Sequence, residues 1–399
     1  MKQLLYIVAI VLFCSCKTGE FIEKELITFE TGFPIQHNAY GIYYDSKTEQ
    51  EYIYFGAYMD SAYVRFFTVD GKRTNKMPDI PLYQVTKNLV KVSTILVYDL
   101  DTVICIDSYV LNNKIVYINR NGYIYYIINI DTMEASNNDM NHILRASFNI
   151  ANKPYIYLNN YWNYKKNTLE EYKNITTYKK EVEYRQYYYK RIYATPPICK
   201  YNVENKSYIF SEPYLHTYFL LYDTAVFNIH EDSPISEASL NISYANKVFV
   251  WGYYSDKIVV LNPDNLQVEK CFQVDSKYTK IKYPNIPLKD TKLYEKLTQH
   301  SYENGRIENV LYDSKRERYY IVERHKIPME DWAFVSESSF SIHVYDKRFK
   351  KLGEQYFEES KYDFRFMFLT SKGLYILQNE NTNDYEYNKT KFYRFDIKM

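Results

Sequence analysis

Few side chains in this 399-residue sequence are of a type and setting that could recognise or transform a ligand. Arg324-His325 closes the apolar run that begins at Tyr319, and Arg365 stands between Phe364 and Phe366. A guanidinium so placed can clamp a carboxylate or stack on a ring; the plainer reading is a solvated charge at a strand end. Trp162, within Asn160-Tyr161-Trp162-Asn163-Tyr164, offers either a face for a sugar or a ring for packing between sheets. The histidines are scattered, and the pair His216 and His230 lacks metal-ligand spacing. His343 alternates with Ile342 and Val344 and reads as a strand-surface histidine. Asp60, Asp99, Asp101, Asp107, Asp313 and Asp346 fall at turns or strand ends, where an aspartate bonds its own backbone. A glycosidase needs two carboxylates about 5 to 9.5 Å apart, which sequence alone does not reveal. No nucleophile elbow, zinc helix, phosphate loop or dinucleotide glycine pattern occurs. The sequence therefore assigns no catalytic residue, no metal site and no cofactor.

The beginning of the chain carries chemistry of another kind. Lys2 precedes the apolar run from Leu4 to Phe13, the layout of a secretion signal. The run is shorter than the roughly 20 residues that cross a bilayer. Phe13-Cys14-Ser15-Cys16 resembles the lipobox of bacterial lipoproteins, although that pattern prefers Leu at position 13 and a small residue at 14. The resemblance implies removal of residues 1–15, acylation of Cys16 and stable anchoring by several acyl chains. Residues 16–24 then form a polar tether. The expected location is the outer membrane, on its periplasmic or cell-surface face, with the lipid as the membrane contact.

Composition narrows the partners. Lys plus Arg number 50 and Asp plus Glu 49, a formal charge of +1, so no global field draws in nucleic acid. Tyr (48) and Phe (22) are abundant and Gly (10) is scarce, a bias that favours strands. Cys105, Cys199 and Cys271 sit beside apolar residues and read as buried thiols acting as small hydrophobes.

The elements that must position these groups recur along the chain. The stretch from Tyr44 to Ile53 aligns without a gap with that from Tyr312 to Ile321, sharing Tyr, Asp, Ser, Lys, Glu, Tyr and Ile. Each copy reads as a strand, an Asp-Ser turn and a returning strand. A second unit runs from Thr94 through an Asn121-Gly122 hairpin turn, and third and fourth units are read at 145–158 and 197–229. The fifth spans Lys247 to Asn265, the Tyr312 copy makes the sixth, and the seventh occupies 364–397. Recurrence of such sheet units points to an all-β fold, a β-propeller of seven blades with six or eight as alternatives. Residues 25–30 alternate as a strand and would complete the last blade, closing the ring. The propeller would fill 25–399, with excursions at 165–191 and 288–305; within the latter, Asp290 to His300 reads as a short helix capped by Asp290.

The lipobox, Phe33-Pro34-Ile35 with Tyr43-Tyr44-Asp45, the segment Glu308 to Asp313 with Tyr319-Tyr320, and Gly373-Leu374-Tyr375-Ile376 together resemble one family. It is the group of lipoproteins of gut Bacteroidetes catalogued as domain of unknown function 4221. The resemblance implies a six- or seven-bladed propeller and transfers no catalytic residue. The function expected from the sequence is a non-enzymatic module binding a glycan or an envelope protein. The alternatives are a polysaccharide-acting glycosidase or lyase with its site in the funnel, and a structural accessory of an outer-membrane uptake complex.

Overall fold

The computed structural model describes residues 21–32, 35, 40–45, 48–56, 63–74, 80–81, 106–111, 114–119, 124–129, 135–139, 155–159, 196, 198–202, 208–212, 215, 218, 240–244, 246–252, 254–282, 284, 286, 290–327, 338–379 and 389–398. The signal segment with Cys16, the excursion at 165–191 and Trp162 lie outside them.

The described residues form six antiparallel sheets. The first in chain order holds β2 (Tyr40–Asp45), β3 (Gln50–Gly56), β4 (Tyr63–Thr68) and β5 (Ile80–Pro81). The second holds β6 (Ile106–Leu111), β7 (Lys114–Asn119), β8 (Ile124–Asn129) and β9 (Ala135–Asp139). The third has three strands, β10 (Tyr155–Asn159), β11 (Ile198–Asn202) and β12 (Tyr208–Phe210). The fourth holds β13 (Leu240–Tyr244), β14 (Val248–Gly252), β15 (Lys257–Leu261) and β16 (Val268–Gln273). The fifth holds β17 (Arg306–Asp313), β18 (Arg318–Arg324), β19 (Phe340–Asp346) and β20 (Lys351–Phe357). The sixth joins β21 (Tyr362–Thr370), β22 (Gly373–Gln378) and β23 (Thr390–Ile397) to β1 (Phe21–Phe29) from the other end of the chain. Helix α1 (Leu293–Glu303) precedes β17.

Six sheets are described where the sequence shows seven units, and the difference has one source. The stretches 145–158 and 197–229 were read as separate units, yet β10 pairs with β11 in a single sheet, Tyr155 opposite Asn202 and Asn159 opposite Ile198. A strand partner 40 or so residues away leaves no local pattern, since pairing is set by register rather than by sequence proximity. The repeat at 44 and 312 appears as two matching hairpins, with Asp45 opposite Gln50 and Asp313 opposite Arg318. The closing strand begins at Phe21, earlier than the alternation at 25–30 indicates, because a bulge between Glu23 and Glu25 resets its phase.

The fourth, fifth, sixth and first sheets pack face to face in that order. Phe249, Trp251 and Ile258 share the face of the fourth sheet that meets Val310, Tyr319 and Ile321 of the fifth. The other face of the fifth, with Tyr320, Val322 and Ile342, meets Leu374, Ile376 and Phe395 of the sixth. The sixth in turn packs Phe29, Phe368 and Phe392 against Ile53, Phe55 and Phe67 of the first. Central strands are consequently buried on both sides, as in β14, where every residue is buried, so their sequences read as continuous apolar runs. The first strands of the sheets lie side by side: β2 beside β6, β10 beside β13, β13 beside β17, β17 beside β21, and β21 beside β2. Among the described residues no helix is long and apolar enough to cross a membrane.

Candidate functional site

One face of the fifth sheet changes character along its length. Side chains two apart on a strand share a face, so Tyr319, Ile321 and Glu323 of β18 line up with Tyr345, His343 and Ser341 of β19. Glu354 and Tyr356 of β20 continue the rows, opposite His343 and Ser341. At the Tyr319 and Tyr345 end the face is apolar and packs on the fourth sheet, Tyr345 lying 5.2 Å from Phe272 and Tyr319 5.1 Å from Phe249 between ring centroids. Toward Glu323 it becomes polar. The segment that leaves β16, carrying Ser276, Lys277 and Tyr278, lies over this polar end.

Inside the seam, His343 Nε2 is 2.8 Å from Glu323 Oε2, and His343 Nδ1 is 3.8 Å from Glu354 Oε2. All three side chains are enclosed, with no more than 1% exposure. Ser276 Oγ and the Lys277 amide donate to Glu354 Oε1 at 2.9 and 3.1 Å, and Lys351 Nζ donates to Oε2 at 2.8 Å. Burial pushes the Glu354 carboxyl up, but Lys351, His343, the Lys277 amide and Ser276 outweigh it and hold the group below its ordinary range. His343 Nδ1 and Glu323 Oε1 have no hydrogen-bond partner. The donor atoms of Glu323, His343 and Glu354 lie within 4.8 Å of one another, a set of one imidazole and two carboxylates that could hold a metal ion.

Beside this cluster, His325 engages Ser341 Oγ through Nε2 at 2.9 Å and Ser339 Oγ through Nδ1 at 3.1 Å. Burial lowers its pKa to about 4, with His343 and Arg324 acting in the same direction and Glu354 opposing them, so the ring is neutral at pH 7. The Ser341–His325 pair has the contact of a nucleophile and its base, but Ser341 is fully buried.

Two tyrosines roof His325. The rings of Tyr278 and Tyr356 lie 5.3 Å apart and sit 6.0 and 5.4 Å from the imidazole. Both are exposed, Tyr278 by 53% and Tyr356 by 42%, with exposed Leu352 and Lys277 on the same strand and segment. Exposed rings backed by a buried aromatic ring and rimmed by cations form a rigid platform for a flat, weakly polar ligand face.

Compared with known families, residues 214–356 match the model of one described as Domain of unknown function (DUF4221). That stretch is less than half of the chain. It contains the fourth sheet, α1, the seam and the tyrosine pair. The whole fold is similar to that of a crystallised DUF4221 family member from Bacteroides vulgatus ATCC 8482, at 16% identity and a TM-score of 0.61, over 95% of this chain and 98% of that one. A protein of Bacteroides fragilis NCTC 9343 assigned as exported aligns over 96% of this chain and 98% of its own, at 9% identity and a TM-score of 0.47. None of the curated proteins matches the chain.

The residues singled out from sequence fall in different places. Within the matched stretch, Arg324 is 2% exposed and donates to Glu308 Oε1 at 3.1 Å, to the His325 carbonyl at 2.9 Å and to the Ser301 carbonyl of α1 at 2.9 Å. It fastens the helix to the end of β18. His325 belongs to the site but lies beneath its surface. Arg365, outside that stretch, forks onto its neighbour Asp363 through Nε and Nη2, at 3.0 and 2.6 Å, inside a bulge of β21. His343 is not on a strand surface; it is fully buried, since both faces of β19 are covered. Cys271 is exposed rather than buried, because β16 is the edge strand of its sheet. Sequence reading missed Glu323, Glu354, Tyr278 and Tyr356. A signal existed for the first: Glu323 continues the phase of Tyr319 and Ile321, and a charge in phase with apolar positions marks a buried polar group.

Proposed function

We propose that this chain is a non-enzymatic β-propeller of six blades, held at the cell envelope by lipid on Cys16, that binds glycan across Tyr278 and Tyr356. The propeller reading is supported by sheets stacked face to face with their first strands side by side. The binding role rests on one observation, the exposed tyrosine pair held rigid over His325. Aromatic faces match the C–H face of a sugar ring, and Lys277 and Lys351 beside them suit hydroxyl or carboxylate groups. Glu323 and Glu354 are enclosed below, so neither carboxylate meets a sugar resting on the rings, which favours recognition over hydrolysis at this place.

The test is a glycan-array screen with detergent-solubilised full-length protein, followed by titration of the hits against Tyr278→Ala and Tyr356→Ala. Each substitution is expected to weaken binding about tenfold while leaving the thermal midpoint within a degree or two. Unchanged affinity in both variants would overturn the assignment of the platform.

A further inference from the structure

We propose that Glu323, His343 and Glu354 constitute an interior site for a divalent transition-metal ion of the zinc class, joining three strands of the fifth sheet beneath the exit segment of the fourth. The site is independent of whether glycan binds above it.

Three features of the cluster converge. The first is charge. Among the described residues the ammonium ion-paired with the two buried carboxylates is that of Lys351, so the seam is balanced only if a proton on His343 or a bound cation supplies the second positive charge. A lone buried charge is costly unless paired or metal-bound. The second is the pair of orphaned atoms. His343 Nδ1 and Glu323 Oε1 are both enclosed and both without partners, where buried polar atoms are almost always satisfied. The third is the donor set and its support. One imidazole nitrogen and two carboxylates, each from a different strand, are ligands suited to zinc and its neighbours, whereas calcium would take more oxygens. Ligands of a tetrahedral zinc stand roughly 3.4 Å apart, so the three donor atoms, now within 4.8 Å of one another, would draw together around the ion. Ser276 and the Lys277 amide orient Glu354 from outside, as partners of metal-bound carboxylates do. Lys351 Nζ contacts Glu354 Oε2, and its partly exposed side chain can swing to solvent as the ion enters.

Ser276 and Lys277 belong to the chain leaving the fourth sheet, and Glu354 to the edge strand of the fifth. An ion on Glu354 and His343 would therefore join strands of the fifth sheet and fix the carboxylate that holds the exit segment of the fourth.

A proton offers the competing solution: an imidazolium at His343 would also neutralise the seam. The experiment separates the two. Full-length protein is stripped with chelator, dialysed against micromolar zinc, and its bound metal measured by mass spectrometry alongside thermal unfolding. The expected result is one zinc per chain, with a midpoint raised by about 5 °C. Glu323→Gln and His343→Gln should each reduce zinc affinity at least a hundredfold, and Glu323→Gln, which keeps a hydrogen bond to His343, should still melt cooperatively in chelator. The proposal is overturned by wild-type protein that retains no more zinc than the two variants. A midpoint that rises on lowering the pH toward 6 but ignores zinc would likewise overturn it, in favour of the imidazolium.

Discussion

At the scale of single residues, the turn aspartates carry measurable weight. Asp346 Oδ1 accepts the amides of Arg348 and Lys350, both at 2.8 Å, and so closes the turn between β19 and β20. The Lys350 amide chiefly, with burial opposing it and the Arg348 amide assisting, holds this carboxyl below its ordinary value of 3.8. Asp346→Ala is expected to cost about 1–2 kcal/mol in urea unfolding at pH 7. The folded state prefers the ionised form, so the contribution is complete above 3.8 and drains away as pH falls below it. The difference between wild type and variant should accordingly narrow when the titration is repeated at pH 3. Turn duty of this kind was legible in sequence at Asp346 and at Asp313, whose Oδ1 takes the amides of Lys315 and Arg316. The seam was not. Alternation identifies a solvent face only when one exists, and β18 and β19 have none. Tyrosine abundance, read as codon bias filling strand positions, also has a structural use: Tyr375 donates to the Val69 carbonyl at 2.9 Å and Tyr40 to that of Arg365 at 3.1 Å, each crossing between sheets.

At the scale of elements, the repeated hairpin persists down to backbone torsion. Glu49 and Glu317 occupy equivalent positions in the two copies and both take left-handed φ, 53° and 51°. A residue with a Cβ is strained there, whereas glycine is at ease. Glu317→Gly should raise the denaturant midpoint by an amount equal to roughly 0.5–1 kcal/mol, since the ion pair it gives up with Lys347 is exposed and worth little. The hairpin was readable because its strand, turn and return are contiguous. The expected helix at 290–300 appears as Leu293–Glu303, and Asp290 serves the preceding turn, accepting the Lys292 amide at 2.9 Å, rather than capping the helix itself. What escaped sequence reading was the sheet whose strands are far apart, and the site, which joins residues from 276 to 356 that meet only through stacking of sheets.

At the scale of the whole molecule, the sixth sheet is assembled from both ends of the chain, Phe21 opposite Ile397 and Phe29 opposite Thr390. Phe29 is wholly buried among Phe55, Phe67 and Phe392, at 5.3 to 5.6 Å between ring centroids, and links the last sheet to the first. Phe29→Ala should cost about 3–5 kcal/mol in equilibrium unfolding, with the loss felt across the full transition rather than as a separate early phase. The same pairing governs when the protein can mature. β1 leaves the ribosome first and its partner β23 almost last, an interval of roughly 20–70 s at ordinary rates of synthesis. Until then β1 lacks its native strand partner, and Glu23-Lys24-Glu25 within it are charges of the kind that discourage wrong strand pairing. The sixth sheet can thus be completed only once β23 has been made, whatever the other five sheets have formed by then.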